Sequence, residues 1–239
     1  MMKDRTYPRR GLHGELVHSI GLQIVRGELR PGDPLAFEGD TAAETGVSRT
    51  VHREAVKVLA AKGLVVSRPK TGTQVRERRF WNLIDPDVLA WRIETGSGDD
   101  FFVEIFELRR LIEPRAAALA AERATDEEVA ELEESFATMA AAAGEDPDAH
   151  LAADVRFHAL ILDASHNELL AHLGATLRAV FRASFARTQS AAEQTLSLHE
   201  AVLAGIRGGD GPAAESAMLD LIERSASVLA EPLAAGGSD

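Results

Sequence analysis

The stretch TGVSRTVHREAVKVLAAKGLVVSRPKTGTQV, residues 45–75, decides the fold of the first part of the chain. Ser48 is a typical helix-capping residue, and apolar residues recur at helical spacing from there to Gly63. Two short β-rich runs follow at 64–67 and 73–75, and the Pro and Gly residues between them predict a hairpin. The stretch therefore predicts a helix followed by a basic β-hairpin.

Upstream of this stretch, the sequence predicts two further helices. Apolar residues recur every three to four positions from Leu12 to Val25, and Pro31 and Gly32 then open a turn. A short second helix is expected over 38–45. Three helices followed by a basic hairpin are the elements of a winged helix-turn-helix, which places its last helix in the major groove of DNA.

From residue 80 onward, Ala-rich amphipathic segments predict an all-α bundle. Seven helices are expected, over residues 85–94, 101–123, 126–143, 148–164, 167–186, 190–207 and 213–230. The predicted fold class is mainly α, with an N-terminal winged helix-turn-helix and a C-terminal all-α helical bundle. The predicted divisions are a DNA-binding domain at 1–79, a linker and first helix at 80–100, and an effector-binding and dimerisation domain at 101–239.

The charge of the chain divides near residue 80. Residues 1–79 hold 15 Lys and Arg against 9 Asp and Glu, a net charge of +6. Residues 80–239 hold 11 against 29, a net charge of −18, and the whole chain carries −12. A basic unit binds a polyanion by releasing counterions, whereas an acidic unit is repelled by it. The charge therefore favours a DNA-binding unit joined to a unit with another task.

The residue types that are missing also narrow the function. The chain has no Cys, which excludes a disulfide framework, a thiolate metal site and a Cys nucleophile. No apolar run reaches the ~18 residues that span a bilayer, and the basic start lacks the apolar stretch of a signal peptide. A cytoplasmic protein without membrane contact is expected.

The helix after Ser48 carries the side chains expected to touch DNA. Arg49 and Arg53 lie four residues apart on one face, and Arg bonds guanine bidentately or grips phosphate. The hairpin adds basic residues beside a Gly that permits close backbone approach. The alternative is that these arginines only solvate an exposed helix. The predicted DNA-binding residues are Ser48, Arg49, Thr50, His52, Arg53, Arg68, Lys70 and Gly72.

In the C-terminal part, polar residues interrupt the apolar stripes of three predicted helices. Asp154 and His158 share one stripe, and Arg109 and His199 interrupt two others. Charged groups that face a core are costly unless they are paired or bind metal, so these four indicate a polar cavity. Imidazole and carboxylate suit Zn²⁺, Ni²⁺ or Mn²⁺. The alternative is a set of hydrogen-bonded core residues. The remaining histidines are expected in solvent: His13, His18, His150, His166 and His172.

Residues 12–76 resemble the DNA-binding domain of the GntR family of bacterial transcription regulators. The resemblance rests on the Ser-Arg-x-x-x-Arg-Glu-Ala core that begins at Ser48 and on the Arg-Pro-x-x-Gly-Thr wing. It implies that Arg49, Arg53 and the wing contact operator DNA. Two departures separate this chain from the family pattern: Phe37-Glu38-Gly39 replaces the usual polar cap and Glu-Arg, and His52 replaces an aliphatic residue.

Residues 101–230 resemble the FCD effector domain of the FadR subfamily. The motifs are FELRRLIEPRAAALAAERAT, ADVRFHALILDASHN and LHEAVLAGIRGGDGPAAESAM. The resemblance implies a homodimer, and a divalent metal held by one Asp and three His with a carboxylate effector completing its coordination. Asp154, His158 and His199 match three of the ligand positions, but Leu221 stands at the fourth.

The same resemblance implies residues for the effector. Arg109 matches the arginine that meets the effector carboxylate, and Arg156 is a second candidate. The segment WNLIDPDVLAW, residues 81–91, is similar to the D-galactonate-responsive repressor branch, which implies an aldonate such as galactonate. We expect a ligand-responsive repressor of sugar-acid or other carboxylate metabolism that is not an enzyme. The alternatives are a metal-dependent enzyme that acts on a small carboxylate, and an architectural DNA-binding protein without an effector.

Overall fold

The computed structural model describes residues 11–35, 48–69, 71–96, 99–188 and 192–230. The chain forms two compact units, Met1–Ser97 and Gly98–Asp239. The predicted helix over 38–45 lies outside the described residues. The mainly α fold class is confirmed, and the only β structure in the described ranges belongs to the first unit.

The first unit contains three α-helices and one hairpin in its described residues. They are α1 (Leu12–Arg26), α2 (Arg49–Ala61), β1 (Val65–Arg68), β2 (Gly72–Val75), a short 3₁₀ helix (Arg78–Phe80) and α3 (Pro86–Glu94). The two strands pair antiparallel, with Val65 opposite Val75 and Arg68 opposite Gly72. The predicted linker and first helix at 80–100 does not form a separate division, because helix α3 belongs to the first unit.

Helices α1, α2 and α3 and the hairpin share one apolar core, in which Val17, Leu59 and Trp91 are fully buried. Gly21 on α1 is required there, because a Cβ at this position would come within 2.6 Å of the Trp91 ring. The ammonium of Lys62 is buried and lies 2.9 Å from Oδ1 of Asp85. Burying a charge is tolerated when such a partner is present.

The second unit contains six α-helices in its described residues. They are α4 (Asp99–Arg123), α5 (Asp126–Ala142), α6 (Pro147–Ala164), α7 (Glu168–Thr188), α8 (Ala192–Arg207) and α9 (Gly211–Ala230). Their ends lie within two residues of the predicted ones, because strong local signals mark them. Thr125 and Glu128 form a capping box at the start of α5, and the Asp146 carboxylate caps α6.

Helix α4 is the central element of the second unit. It packs lengthwise against α9 and also contacts α6, α7 and α8. Side chains on α4 therefore reach those of α6 and α8, and this brings the predicted site residues together. Among the described helices, none combines the length and the apolar character needed to cross a membrane.

Candidate metal centre and nucleic-acid interface

The first turn of α2 presents the predicted DNA-contacting residues to solvent. The backbone N–H of Val51 donates to Oγ of Ser48 at 3.4 Å, so Ser48 caps the helix as expected. The side chains of Arg49, Thr50 and Arg53 are exposed. An uncovered helix start with two arginines on one face is the arrangement that reads a major groove.

The remaining predicted DNA-binding residues fall into three groups. Arg68 is exposed at the end of β1, and Gly72 opposite it has φ +71°, a left-handed conformation that favours Gly. Lys70 lies outside the described residues. The prediction for His52 is wrong, because its side chain faces the core with an exposed fraction of 6% and is not available to a groove.

In the second unit, the three predicted metal ligands come together, two of them from α6 and one from α8. Asp154, His158 and His199 each offer one ligand atom, and these atoms lie within 4.8 Å of one another. Oδ1 of Asp154 is 3.2 Å from Nε2 of His199 and 3.4 Å from Nε2 of His158. Both imidazoles are buried.

The orientation of both imidazoles fits a divalent metal. Nδ1 of His158 is 2.5 Å from Oε2 of Glu113, and Nδ1 of His199 is 2.9 Å from the carbonyl oxygen of Thr195. An acceptor at Nδ1 keeps the proton there and leaves the Nε2 lone pair free as a metal ligand. Both Nε2 atoms face Asp154, so the donor set is two nitrogens and a carboxylate.

Glu113 is a residue of the cluster that the sequence analysis misses. It lies on α4, is 1% exposed, and its Oε1 accepts a 2.6 Å hydrogen bond from Nε of Arg109. The i,i+4 spacing from Arg109 to Glu113 is the signal that was available, since it places both residues on the inward face of one helix. Glu113 thus contacts both the predicted effector residue and a predicted metal ligand.

Arg109 faces the same cavity as the three ligands, as predicted. Its guanidinium stacks on the rings of Phe106 and Phe185, with centroid distances of 4.9 and 4.4 Å. Its Nη1 is buried and has no hydrogen-bond partner among the described residues. An unsatisfied buried donor is costly, so a ligand that accepts a hydrogen bond there is favoured.

Three other predictions are corrected by the structure. Arg156 does not line the cavity; it is half-exposed and pairs with Glu134 at 3.1 Å. His150 is buried, not solvated, and lines the cavity while its Nδ1 contacts the carbonyl oxygen of Met139 at 3.0 Å. His18 accepts from Nε1 of Trp91 at 2.9 Å.

The electrostatics of the cluster favour charged forms. Burial alone raises the pKa of Asp154, but hydrogen bonds from His158 and His199 outweigh it and hold that pKa well below its usual range. Burial alone lowers the pKa of His158, but the Glu113 charge and the Asp154 hydrogen bond raise that pKa to about 8. Burial alone raises the pKa of Glu113, but the charges and hydrogen bonds of Arg109 and His158 outweigh it and lower that pKa to about 2. A metal must therefore displace a proton from His158.

Each of the two units contains a match to a known family model. Residues 12–75 match the bacterial regulatory proteins of the gntR family, and residues 104–224 match the FCD domain. The chain belongs to the GntR family. This GntR-family chain is a ligand-responsive transcription regulator and not an enzyme, and the enzyme alternative is set aside.

Relatives of this GntR-family regulator cover nearly its whole length. It is 37% identical over 220 residues to the galactonate operon transcriptional repressor of Escherichia coli, covering 90% of this chain and 96% of that protein. It is 30% identical over 204 residues to the regulator LutR of Bacillus subtilis, covering 82% and 91%. A solved GntR structure from Streptococcus agalactiae is 27% identical, with a TM-score of 0.53 and coverage of 90% and 99%.

Proposed function

We propose that this regulator is a homodimeric, cytoplasmic repressor that a small carboxylate, an aldonate such as galactonate, releases from operator DNA. Asp154, His158 and His199 would hold a divalent metal, and Arg109 would bind the carboxylate. The relative that represses a galactonate operon supports the choice of an aldonate. The contacts in the second unit support the carboxylate and the metal.

The observation that carries the proposal is the unpaired Nη1 of Arg109 in the cavity that the three ligands line. A ligand carboxylate would satisfy this donor with a charge-assisted hydrogen bond. The other oxygen atoms of the ligand would lie toward a metal held by Asp154, His158 and His199.

The balance of charge in the cavity supports binding of the metal first and of the carboxylate second. Once His158 has lost its extra proton, the carboxylates of Asp154 and the adjoining Glu113 outnumber the guanidinium of Arg109, and this excess of negative charge favours a cation. Zn²⁺, Ni²⁺ or Mn²⁺ bound there would supply a Lewis acid that coordinates carboxylate and hydroxyl oxygens. Leu221 offers no ligand, so three protein donors leave positions for an effector. The excess charge would then be positive and would favour an anion, although the whole unit is acidic.

The hydroxyl groups of the cavity wall favour a polyhydroxy acid. Thr188, Thr195 and Ser225 line the cavity. Each donates its own hydrogen to a backbone carbonyl of its helix, at 3.2, 3.0 and 2.9 Å. Their oxygens therefore remain as acceptors, and the hydroxyl groups of an aldonate are the donors that match them.

The size of the cavity explains how binding can alter DNA affinity. Its volume is about 20 Å³, which is space for about one water molecule. A six-carbon acid therefore fits only if the groups that form the wall move apart. A ligand that binds only the widened state shifts the protein toward that state, and operator DNA that prefers the other state weakens ligand binding to the same extent.

The DNA-binding side of the proposal uses residues of α2 and of the wing. Arg49, Thr50 and Arg53 would contact the major groove, Ser48 holds the helix start, and the wing with Arg68, Lys70 and Gly72 would contact the flanking backbone.

The experiment is a two-step binding assay on the full chain. An operator is first selected from random duplexes, and release from it is then measured with D-galactonate, D-gluconate and L-lactate in zinc-loaded protein. D-galactose, which has the hydroxyl groups but no carboxylate, is the matched control. We expect release by an aldonate and none by galactose. Operator binding that no carboxylate changes would contradict the proposal and favour an architectural DNA-binding protein.

A further inference from the structure

We propose that Glu113 is a positioning residue that orients His158 toward the metal and Arg109 toward the carboxylate, so that one side chain links the two halves of the effector site. This inference rests on the proposed function, because it takes the metal and the carboxylate as the ligands of that cavity. It concerns a residue that is itself neither a ligand of the metal nor a contact of the effector.

The contacts of Glu113 commit both of its oxygens. Oε1 accepts from Nε of Arg109 at 2.6 Å, and Oε2 is 2.5 Å from Nδ1 of His158. All three side chains are buried, with exposed fractions of 1 to 2%. Rotation of the carboxylate therefore breaks at least one of the two contacts and leaves a buried donor without its partner, which is costly.

The two imidazoles of the cluster differ in how they are held. Nδ1 of His199 faces the backbone carbonyl of Thr195, one turn earlier on its own helix α8. Nδ1 of His158 on α6 faces a side chain from α4. The orientation of His199 is thus local, whereas that of His158 depends on the packing of α4 against α6 through Glu113.

This difference implies a route for coupling. A carboxylate at Nη1 of Arg109 pulls on a guanidinium whose Nε is held by Glu113. Any displacement of Glu113 moves its hydrogen-bond partner Nδ1 of His158. The ring then turns, and so does its Nε2, which faces Asp154. Metal affinity and carboxylate affinity are then linked through one residue, and the linkage must be reciprocal.

The first test is the zinc affinity of Glu113→Gln, measured by competition with a chromophoric chelator. An amide has one accepting oxygen for two donors, and the charged Arg109 takes it, which turns the NH₂ toward Nδ1 of His158. We expect zinc affinity to fall about 10- to 100-fold, the effect of removing a partner that orients a metal-binding imidazole. The matched control is Glu223→Gln, which breaks an exposed Glu–Arg pair with Arg110 (2.6 and 3.0 Å) and should leave zinc affinity unchanged.

The second test reads the proton positions directly, by ¹⁵N-detected NMR of the His side chains in zinc-free protein at alkaline pH. In the wild type, both His158 and His199 should carry the proton on Nδ1. In Glu113→Gln, His158 should change to the Nε2–H form, while His199 should keep its proton on Nδ1. A variant that is merely destabilised would not change one imidazole and spare the other.

A pair of variants guards against misfolding of Glu113→Gln, which leaves the buried Arg109 without its counterion. Arg109→Met keeps Glu113 on His158, and Arg109→Met with Glu113→Leu removes both charges together. We expect the double variant to bind zinc at least tenfold more weakly than the single variant, because only the single variant keeps a carboxylate on His158. Equal zinc affinities in this pair, or an unchanged His158 proton in Glu113→Gln, would overturn the assignment. Neither measurement uses DNA or a carboxylate, so failure of the proposed carboxylate response is seen separately.

Discussion

The two units of this regulator use charge in opposite ways. In the first unit, Arg49 and Arg53 lie exposed on one face of α2, and their positions follow from their spacing on a single helix. In the second unit, Arg109 and Glu113 are buried and form an ion pair with an exposed fraction of 1% on each side. An exposed cation needs only a groove to meet, whereas a buried one needs a partner already in place.

The residues of α2 can be changed independently of one another, whereas those of the cavity cannot. Substitutions on α2 should alter DNA binding and leave the second unit intact, because they remove solvated side chains. Substitutions in the cavity should also change the positions and charges of neighbouring side chains, because each buried charge there is paired with another.

Arg49→Ala should weaken operator binding about 100-fold in the proposed homodimer, which would carry two copies of the substitution, because a bidentate contact to guanine contributes ~1–3 kcal/mol. Fluorescence anisotropy with the selected operator measures the loss. Arg207→Ala is the control, since this exposed Arg lies in the second unit and pairs with Glu133 at 3.3 Å. Wild-type affinity in Arg49→Ala would remove α2 from the DNA interface.

Arg109→Gln should weaken carboxylate binding about tenfold to 100-fold, because a hydrogen bond to a charged group contributes ~1.5–3 kcal/mol. Operator binding without ligand should persist. Isothermal titration with the aldonate that releases operator measures the change. Arg156→Gln should bind that aldonate as the wild type does, because Arg156 pairs with Glu134 outside the cavity. A larger loss in Arg156→Gln than in Arg109→Gln would reverse the assignment.

Zinc affinity should rise about tenfold per pH unit from pH 6.5 to 8 and then level off, because binding displaces a proton from His158, whose pKa is raised to about 8. Stability of the zinc-free protein should change in the opposite direction. A His with a raised pKa contributes stability that is complete below its unfolded value of 6.5 and is lost as the pH passes 8. Chelator competition and thermal unfolding at each pH measure the two trends, and parallel trends would contradict this account of His158.

Leu221→His should raise zinc affinity about tenfold, since it adds a nitrogen donor to a site with three protein ligands. Leu221 lies one turn from Ser225, which lines the cavity, so both residues share a face of α9. Leu219→His is a matched control on the exposed side of α9. Equal zinc affinities in the two variants would show that position 221 does not reach the metal.

Much of the fold follows from local signals. The capping residues Ser48 and Thr125 mark helix starts, and the Pro and Gly between β1 and β2 mark the hairpin. Each signal acts within a few residues, so tertiary contacts do not override it. His52 shows the limit: its place on an Arg-rich helix predicts a DNA contact, but the packing of α2 turns it into the core.

Helical periodicity places Asp154, His158, His199 and Arg109 on apolar stripes, so the sequence alone predicts that they face inward. It did not determine which of them meet, nor that Arg156 lies outside and His150 lines the wall. The 2.5 Å contact between Glu113 and Nδ1 of His158 comes instead from tertiary packing, and it joins the Arg109–Glu113 pair of α4 to the cluster. Periodicity fixes the direction of a side chain on its own helix, whereas its partner on another helix depends on how α4 and α6 pack together.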